Sequence, residues 1–394
     1  MKKIILSIAT LLAFGTMLVA QEKTDSTAYV NRKLKLDEID FVQSYYTQEG
    51  DHSAVTGGIG DEHLNDFSTN IEVKLSKIDQ KLRKHTFNAG IGFDAYTSAS
   101  SDNIDPSTVS SASSKDIRFY PSLGWQMENP KNNTTIGANL MFSGEYDYTS
   151  IGAGLSFVKS SEDQNREFSI KAQVFMDQWK VILPVELKNQ PSIYDSNEPR
   201  NTYNLSLGYS QVINKKLQAS ILGEFTYQTG LLGTAYQRVY FTNGTMNHEV
   251  LPDNRFKLPI GIRANYFMTD RVILRSFYRY YWDDWGISAH TVSLEVPIKI
   301  SPYFSVAPFY RYYTQTAADY FAPYKNHLPT EEYYTSDYDL SEFSSNYVGA
   351  NMRWVPENGL FGIKKMYAGE LRYGYYKRDD GLYSHNITLA LTFK

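Results

Sequence analysis

The sequence predicts an all-β chain folded as a transmembrane antiparallel β-barrel of about 16 strands, with short periplasmic turns and long extracellular loops. Three observations lead there. Apolar and polar side chains alternate with a period of two in segment after segment, aromatic residues crowd the segment ends, and short connections alternate with long ones.

The alternation is clearest where Phe67, Thr69, Ile71, Val73 and Leu75 fall on one side and Ser68, Asn70, Glu72, Lys74 and Ser76 on the other. A strand sends successive side chains to opposite faces, so one face is greasy and the other polar or very small. The pattern recurs at 87–93, 117–127, 136–142, 151–157, 168–174 and 203–209. Further strands centre on 217–227, 258–266, 272–282, 292–300, 304–312, 348–354, 367–375 and 383–393, with one more at 39–45. Aromatics such as Tyr45, Tyr146, Tyr148, Tyr278, Tyr280, Trp282, Tyr310, Tyr312, Tyr373 and Tyr375 stand at segment ends, where a membrane barrel carries its interfacial girdles. A secreted, soluble β-sandwich also alternates, but it buries its apolar face and has no need of aromatic ends.

Counted from a periplasmic N-terminus, the connections at 128–133, 213–216, 268–270 and 300–303 are short. Those at 47–65, 98–116, 177–200, 229–255 and 314–344 are long. The parity holds if the strand-like piece 234–241 sits inside an outside loop and does not span. The last segment, with Ile387, Leu389, Leu391 and Phe393 on one face, has the aromatic end that the outer-membrane assembly machinery recognises in other barrels, so that machinery and outer-membrane lipid are expected partners.

Composition removes other classes. The 394 residues contain no cysteine, which excludes a disulfide scaffold, a thiolate nucleophile, Cys-ligated metal and an acylated lipoprotein anchor. After the first 20 residues no apolar run is long enough for a spanning helix. A net charge of -4 gives no sign of a nucleic-acid partner. Lys2 and Lys3, the apolar run 4–14 and Leu18-Val19-Ala20 have the order of a secretory signal peptide cleaved before Gln21. The expected organisation is a signal peptide at 1–20, a periplasmic segment at 21–35 and the barrel at 36–394, located in the outer membrane of a Gram-negative bacterium.

If the apolar faces meet lipid, the opposite positions line a lumen. Arg263, Arg275, Arg279, Arg311, Arg353 and Arg372 are expected to form a basic wall, and Glu72, Asp94, Glu145 and Asp147 an acidic one. Because segments adjacent in sequence are adjacent strands, the two walls face each other, and a transverse field of this kind orients solutes. The same side chains also pair readily with one another and would then close the bore. The loop 229–255 is the best candidate for an inward-folding constriction. Motifs for chemistry are weak: Ser288 and His290 share an outward parity, the minimum for a lipid-modifying enzyme, but girdle roles suit them better. The oxygen-rich loops 50–62 and 101–105 lack the spacing of a known calcium loop. No catalytic, metal or cofactor residues are assigned.

Three stretches, Tyr45–Gly60 (YYTQEGDHSAVTGGIG), Tyr96–Pro106 (YTSASSDNIDP) and Tyr278–Ile287 (YRYYWDDWGI), resemble exported proteins grouped as domain of unknown function 3570. Arg311-Tyr312-Tyr313-Thr314-Gln315 and Pro252-Asp253-Asn254-Arg255 add to the likeness. The resemblance implies an outer-membrane barrel and assigns no activity. Gene neighbours of such proteins imply an envelope redox or cofactor-handling role. The expected function is a non-enzymatic, porin-like channel for small hydrophilic solutes, with no cofactor. The alternatives are a closed structural or partner-binding barrel, engaging a periplasmic or surface protein, and an outer-membrane lipid-modifying enzyme.

Overall fold

Two faces with different destinations make each segment a strand, and the register keeps those faces continuous around the molecule. The computed structural model describes residues 33–97, 115–188 and 193–394. The expected signal peptide, most of the segment 21–35 and the loop 101–105 lie outside the described residues.

The barrel occupies Leu34–Lys394. Its strands in chain order are β1 (Lys35–Gly50), β2 (Glu62–Ile78), β3 (Lys84–Thr97), β4 (Lys115–Asn129), β5 (Thr134–Gly144), β6 (Tyr148–Ser160), β7 (Arg166–Lys180), β8 (Asn197–Asn214) and β9 (Leu217–Gly230). There follow β10 (Arg238–Tyr240), β11 (Met246–His248), β12 (Asn254–Phe267), β13 (Ile273–Asp283), β14 (Ser288–Glu295), β15 (Ile298–Lys299), β16 (Phe304–Gln315), β17 (Phe343–Trp354), β18 (Met366–Arg378) and β19 (Tyr383–Phe393). β10 and β11 pair only with each other, inside the long connection after β9, as the parity of the sequence requires. β14 and β15 both pair with β16 and form one crossing, interrupted at Val296 and Pro297, where proline has no N–H for the ladder. The sheet closes because β1 pairs with β2 on one side and with β19 on the other, from Ile39↔Phe393 to Glu49↔Tyr383. The result is a closed antiparallel barrel of 16 crossings.

Ala89, Leu123, Leu140, Ala153, Val174 and Tyr203 are successive cross-strand partners, and all belong to the outward set. Outward apolar residues are bare: Ile117 is 67% exposed, Leu140 60% and Leu155 67%. A soluble barrel would have buried them. The apolar core among the described residues lies instead in the connections, where Val239, Phe241 and Tyr334 pack together against Val250.

The short turns share one device, a side-chain oxygen that accepts the backbone N–H two residues on and so bends the chain back. Asp79 accepts from Lys81, Asn129 from Lys131, Asp163 from Asn165, Asn214 from Lys216, Thr269 from Arg271 and Ser301 from Tyr303. All six lie at one end of the barrel. The long connections 51–61, 231–253 and 316–342, and the described parts 181–188 and 193–196 of another, lie at the other.

Replacing Leu140 by Arg puts a cation on the bare outward face. In lipid vesicles the variant should be less stable by about 2 to 4 kcal/mol if this level is mid-bilayer, read from denaturant unfolding. An unaffected midpoint would mean that the outward face does not meet hydrocarbon.

Candidate functional site: the charged bore and its outer mouth

Inward positions carry the charges, and most opposite charges meet between neighbouring strands. Arg275 reaches Glu295 at 2.7 Å across β13–β14, and Arg353 reaches Glu370 at 2.8 Å across β17–β18. On the acidic side, Arg118 lies 3.9 Å from Asp94 and 3.7 Å from Glu145. Asp94 also accepts from the Tyr120 hydroxyl at 2.7 Å, and the Tyr96 hydroxyl donates to Glu145. Lys74 binds Glu38 at 2.7 Å, and Arg200 binds Asp177 at 3.0 Å. Glu72 lies on the inner face of β2, opposite Asp40. Glu145 and Asp147 are both in the turn between β5 and β6, not on a strand of the wall. Asp147 is buried, and burial first, then the charges of Glu145 and Asp116, pushes its carboxyl up to about 6. The carboxylate oxygens of Asp116, Glu145 and Asp147 lie within 4.8 Å of one another.

The remaining basic residues behave differently. Arg263 lies over the Phe277 ring at 5.6 Å, Arg311 over Tyr347 at 4.9 Å and Arg372 over Phe309 at 4.3 Å. Arg279 faces inward opposite Gly261 and is exposed. Each ring in turn lies over a glycine of an adjacent strand. A Cβ at Gly261 would come within 2.9 Å of Phe277, at Gly349 within 2.6 Å of Phe309, and at Gly374 within 2.2 Å of Tyr347. Tyr120 covers Gly92 in the same way and carries Arg118 at 5.0 Å. The missing side chain lets the ring lie flat against the wall, and the ring gives the guanidinium a face to rest on. Aromatics at inward positions therefore lie along the inner wall.

The outer mouth is built from the interlocked long connections. Arg238 on β10 is bound to Glu186 at 3.0 Å and to the Val55 carbonyl at 2.9 Å. Val250 and Tyr334 exchange backbone hydrogen bonds, and the His327 ring donates from Nε2 to the Thr335 carbonyl at 2.8 Å. Glu249 is fully enclosed here and is bound by the Thr335 hydroxyl and the Thr234 amide. Burial, with the Asp337 charge adding to it, pushes the Glu249 carboxyl up to about 8. The loop 231–253 does reach inside the rim. Its Tyr236 and Gln237 line a cavity of about 270 Å³ together with Tyr96, Glu62 and Arg378 of the barrel. The turn Tyr338–Leu340, from the connection 316–342, shares that position. Asp339 is held by Arg378 at 2.5 Å, and Gln315 donates to the Asp339 and Ser341 carbonyls at 3.1 and 2.6 Å. It borders a second cavity of about 400 Å³ that contains Lys257, Arg279, Tyr281 and Tyr313.

The stretches Pro252–Arg255 and Tyr278–Gly286 form rim scaffolding, while 98–106 of the second stretch lie outside the described residues. Asp283 is fully buried and accepts from Arg255 at 3.0 Å, the Tyr281 hydroxyl at 2.7 Å and the amides of Trp285 and Ile287 at 3.1 and 3.0 Å. Trp285 donates to the Asn254 carbonyl at 2.9 Å and stacks under Arg255 at 4.3 Å. His290 pairs with the Tyr278 hydroxyl at 2.8 Å, and His385 with that of Tyr373 at 2.9 Å, both on the outward face. Sequence reasoning missed the ring-over-glycine layer. Its signal was present, since Gly92, Gly261, Gly349 and Gly374 fall at inward positions beside strands with inward aromatics.

A family model described as "Protein of unknown function (DUF3570)" matches residues 4–384. No curated protein matches the sequence. Among solved structures, the chain is similar to OccD3 (OpdP) of Pseudomonas aeruginosa, at 10% identity and a TM-score of 0.46, covering 96% of each chain. It is also similar to a BenF-like porin of Pseudomonas fluorescens Pf-5, at 7% identity and a TM-score of 0.44, covering 91% of this chain and 98% of that one. A bacterial polysaccharide outer membrane secretin gives 11% identity and a TM-score of 0.46 over 93% and 99% of the two chains. These likenesses are distant, and the barrel stands on its own strands and register.

Gly374→Val should push Tyr347 off the wall and unseat Arg311, destabilising the barrel by about 1 to 3 kcal/mol. Adding Tyr347→Ala should recover most of that loss in the same unfolding assay; no recovery would mean that the ring does not need the glycine.

The mouth should also respond to pH. Glu249 is neutral in the packed loops and ionised in opened ones between 4.5 and about 8, so the packing is firmest below 4.5 and weakens as pH rises through about 8. Hydrogen exchange in 231–253, corrected for intrinsic rate, should show more opening at high pH. Glu249→Gln should flatten the profile, and an unchanged profile would remove Glu249 as its source.

Proposed function

The chain belongs to the DUF3570 family, and on that footing we propose that it is an outer-membrane, porin-like channel through which small hydrophilic solutes diffuse along a charged bore. It works without a cofactor and carries out no reaction. One observation supports this most. Inward-facing charges inside a closed barrel remain open to water, with the side chains of Arg275 52%, Arg353 50% and Arg118 43% exposed. A core closed by packing would have covered them. Sixteen crossings is also the size at which barrels hold an aqueous channel. The apolar outward belt supports the membrane location, and the paired charges of the wall keep it rigid around the bore.

A second reading is favoured by the mouth. The connections that interlock there suit a barrel that receives a partner at its outer face, in an envelope redox or cofactor-handling system.

Planar-bilayer recording separates the two. The channel should give steady ionic current, and Arg279→Ala with Arg311→Ala should change its size or ion preference. A folded barrel that passes no current would overturn the channel reading and leave the partner-binding one.

A further inference from the structure

The guanidinium groups of Arg263, Arg311 and Arg372 make no hydrogen bond or ion pair among the described residues, although those of Arg275 and Arg353 on the same wall are tied to carboxylates. Each lies against a ring instead. A ring occupies one face of a guanidinium and leaves its edge, with five N–H donors in a fixed plane, open to the bore. That edge matches the two oxygens of a carboxylate or phosphate and binds them through paired, charge-assisted hydrogen bonds. Stacking on a ring seated over a glycine also fixes the group in advance, so little order is lost when an anion arrives.

The three are spaced along a path. Arg263, Phe277, Ser293, Arg311 and Tyr347 are successive cross-strand partners in a single row. Arg263 and Arg311 are three strands apart, about 14 Å at the spacing between strands. Arg372 pairs with Asn351, four residues below Tyr347 on β17, which lowers it by about 13 Å towards the short-turn end. The row therefore runs around the wall of β12–β18 and then down it.

We propose that these three arginines form a relay for solutes carrying an oxyanion group, carboxylate or phosphate, each holding the anion by its free edge while the next lies within reach of a small molecule. This rests on the channel reading and names the class of solute that the channel passes.

The test is block of single-channel current in potassium chloride at fixed ionic strength, with citrate in one arm and inorganic phosphate in the other. Saturable block is expected in at least one arm, and the arm that blocks identifies the oxyanion. In the triple variant Arg263→Gln, Arg311→Gln, Arg372→Gln, the half-blocking concentration should rise by at least about tenfold while current persists. The three single variants, each expected to raise it by less, provide the same reading should the triple variant fail to assemble. Equal block of wild type and variants, or no block by either anion, would overturn the relay and leave the channel standing. Absence of current from the folded wild type would sink the channel reading instead.

Discussion

The ladder between β1 and β19 is the contact on which the rest depends. In hydrocarbon an unpaired backbone N–H or C=O has no water to turn to, so a sheet crosses a membrane only if it has no edge. Closing first strand on last, in the antiparallel register that runs from Ile39↔Phe393 to Glu49↔Tyr383, removes both edges at once. Closure then gives each side chain one of two environments. The period-two pattern of the chain is the consequence, and a one-residue slip anywhere would turn a greasy face inward.

Closure also decides how the charges are used. Arginines and carboxylates on neighbouring strands come together, so Arg275 and Glu295, and Arg353 and Glu370, stitch adjacent strands, while Arg118 sits between Asp94 on β3 and Glu145 in the turn after β5. Such pairs hold a wall rigid at modest net stabilisation, because partly exposed pairs are screened by water. What they leave over is a set of cations resting on rings, and the rings lie flat because a neighbouring strand has glycine where another residue would project. Phe277 over Gly261 and Tyr347 over Gly374 show the arrangement in full. Cross-strand ties and flat-lying rings thus come from the same inner positions, some through ion pairs and some through the absence of a side chain.

The outer end follows different physics. There the long connections bury apolar side chains as a soluble protein does, around Val239, Phe241 and Tyr334, and they supply hydrogen bonds to the enclosed Glu249, His327 and Asp283. The segments Pro252–Arg255 and Asp283–Gly286, prominent in the sequence for their aromatic and acidic residues, meet at this rim and fix where the loops leave the barrel.

The sequence by itself determined the barrel, its strand number, the facing of each strand and which end carries the long connections, because alternation and turn-forming residues such as Asp79, Asn129 and Asn214 act locally. It also determined that Arg263, Arg311 and Arg372 face inward, since parity alone settles that. Tertiary structure decided which arginines are tied to carboxylates and which rest on rings, for that depends on cross-strand register and on the glycine opposite, neither of which parity contains. It likewise decided that Asp147 is buried in a turn and that Tyr338–Leu340 shares the mouth with 231–253, because both follow from contacts between connections far apart in the chain. Local periodicity reaches across two residues, whereas these arrangements need distant segments brought side by side by closure.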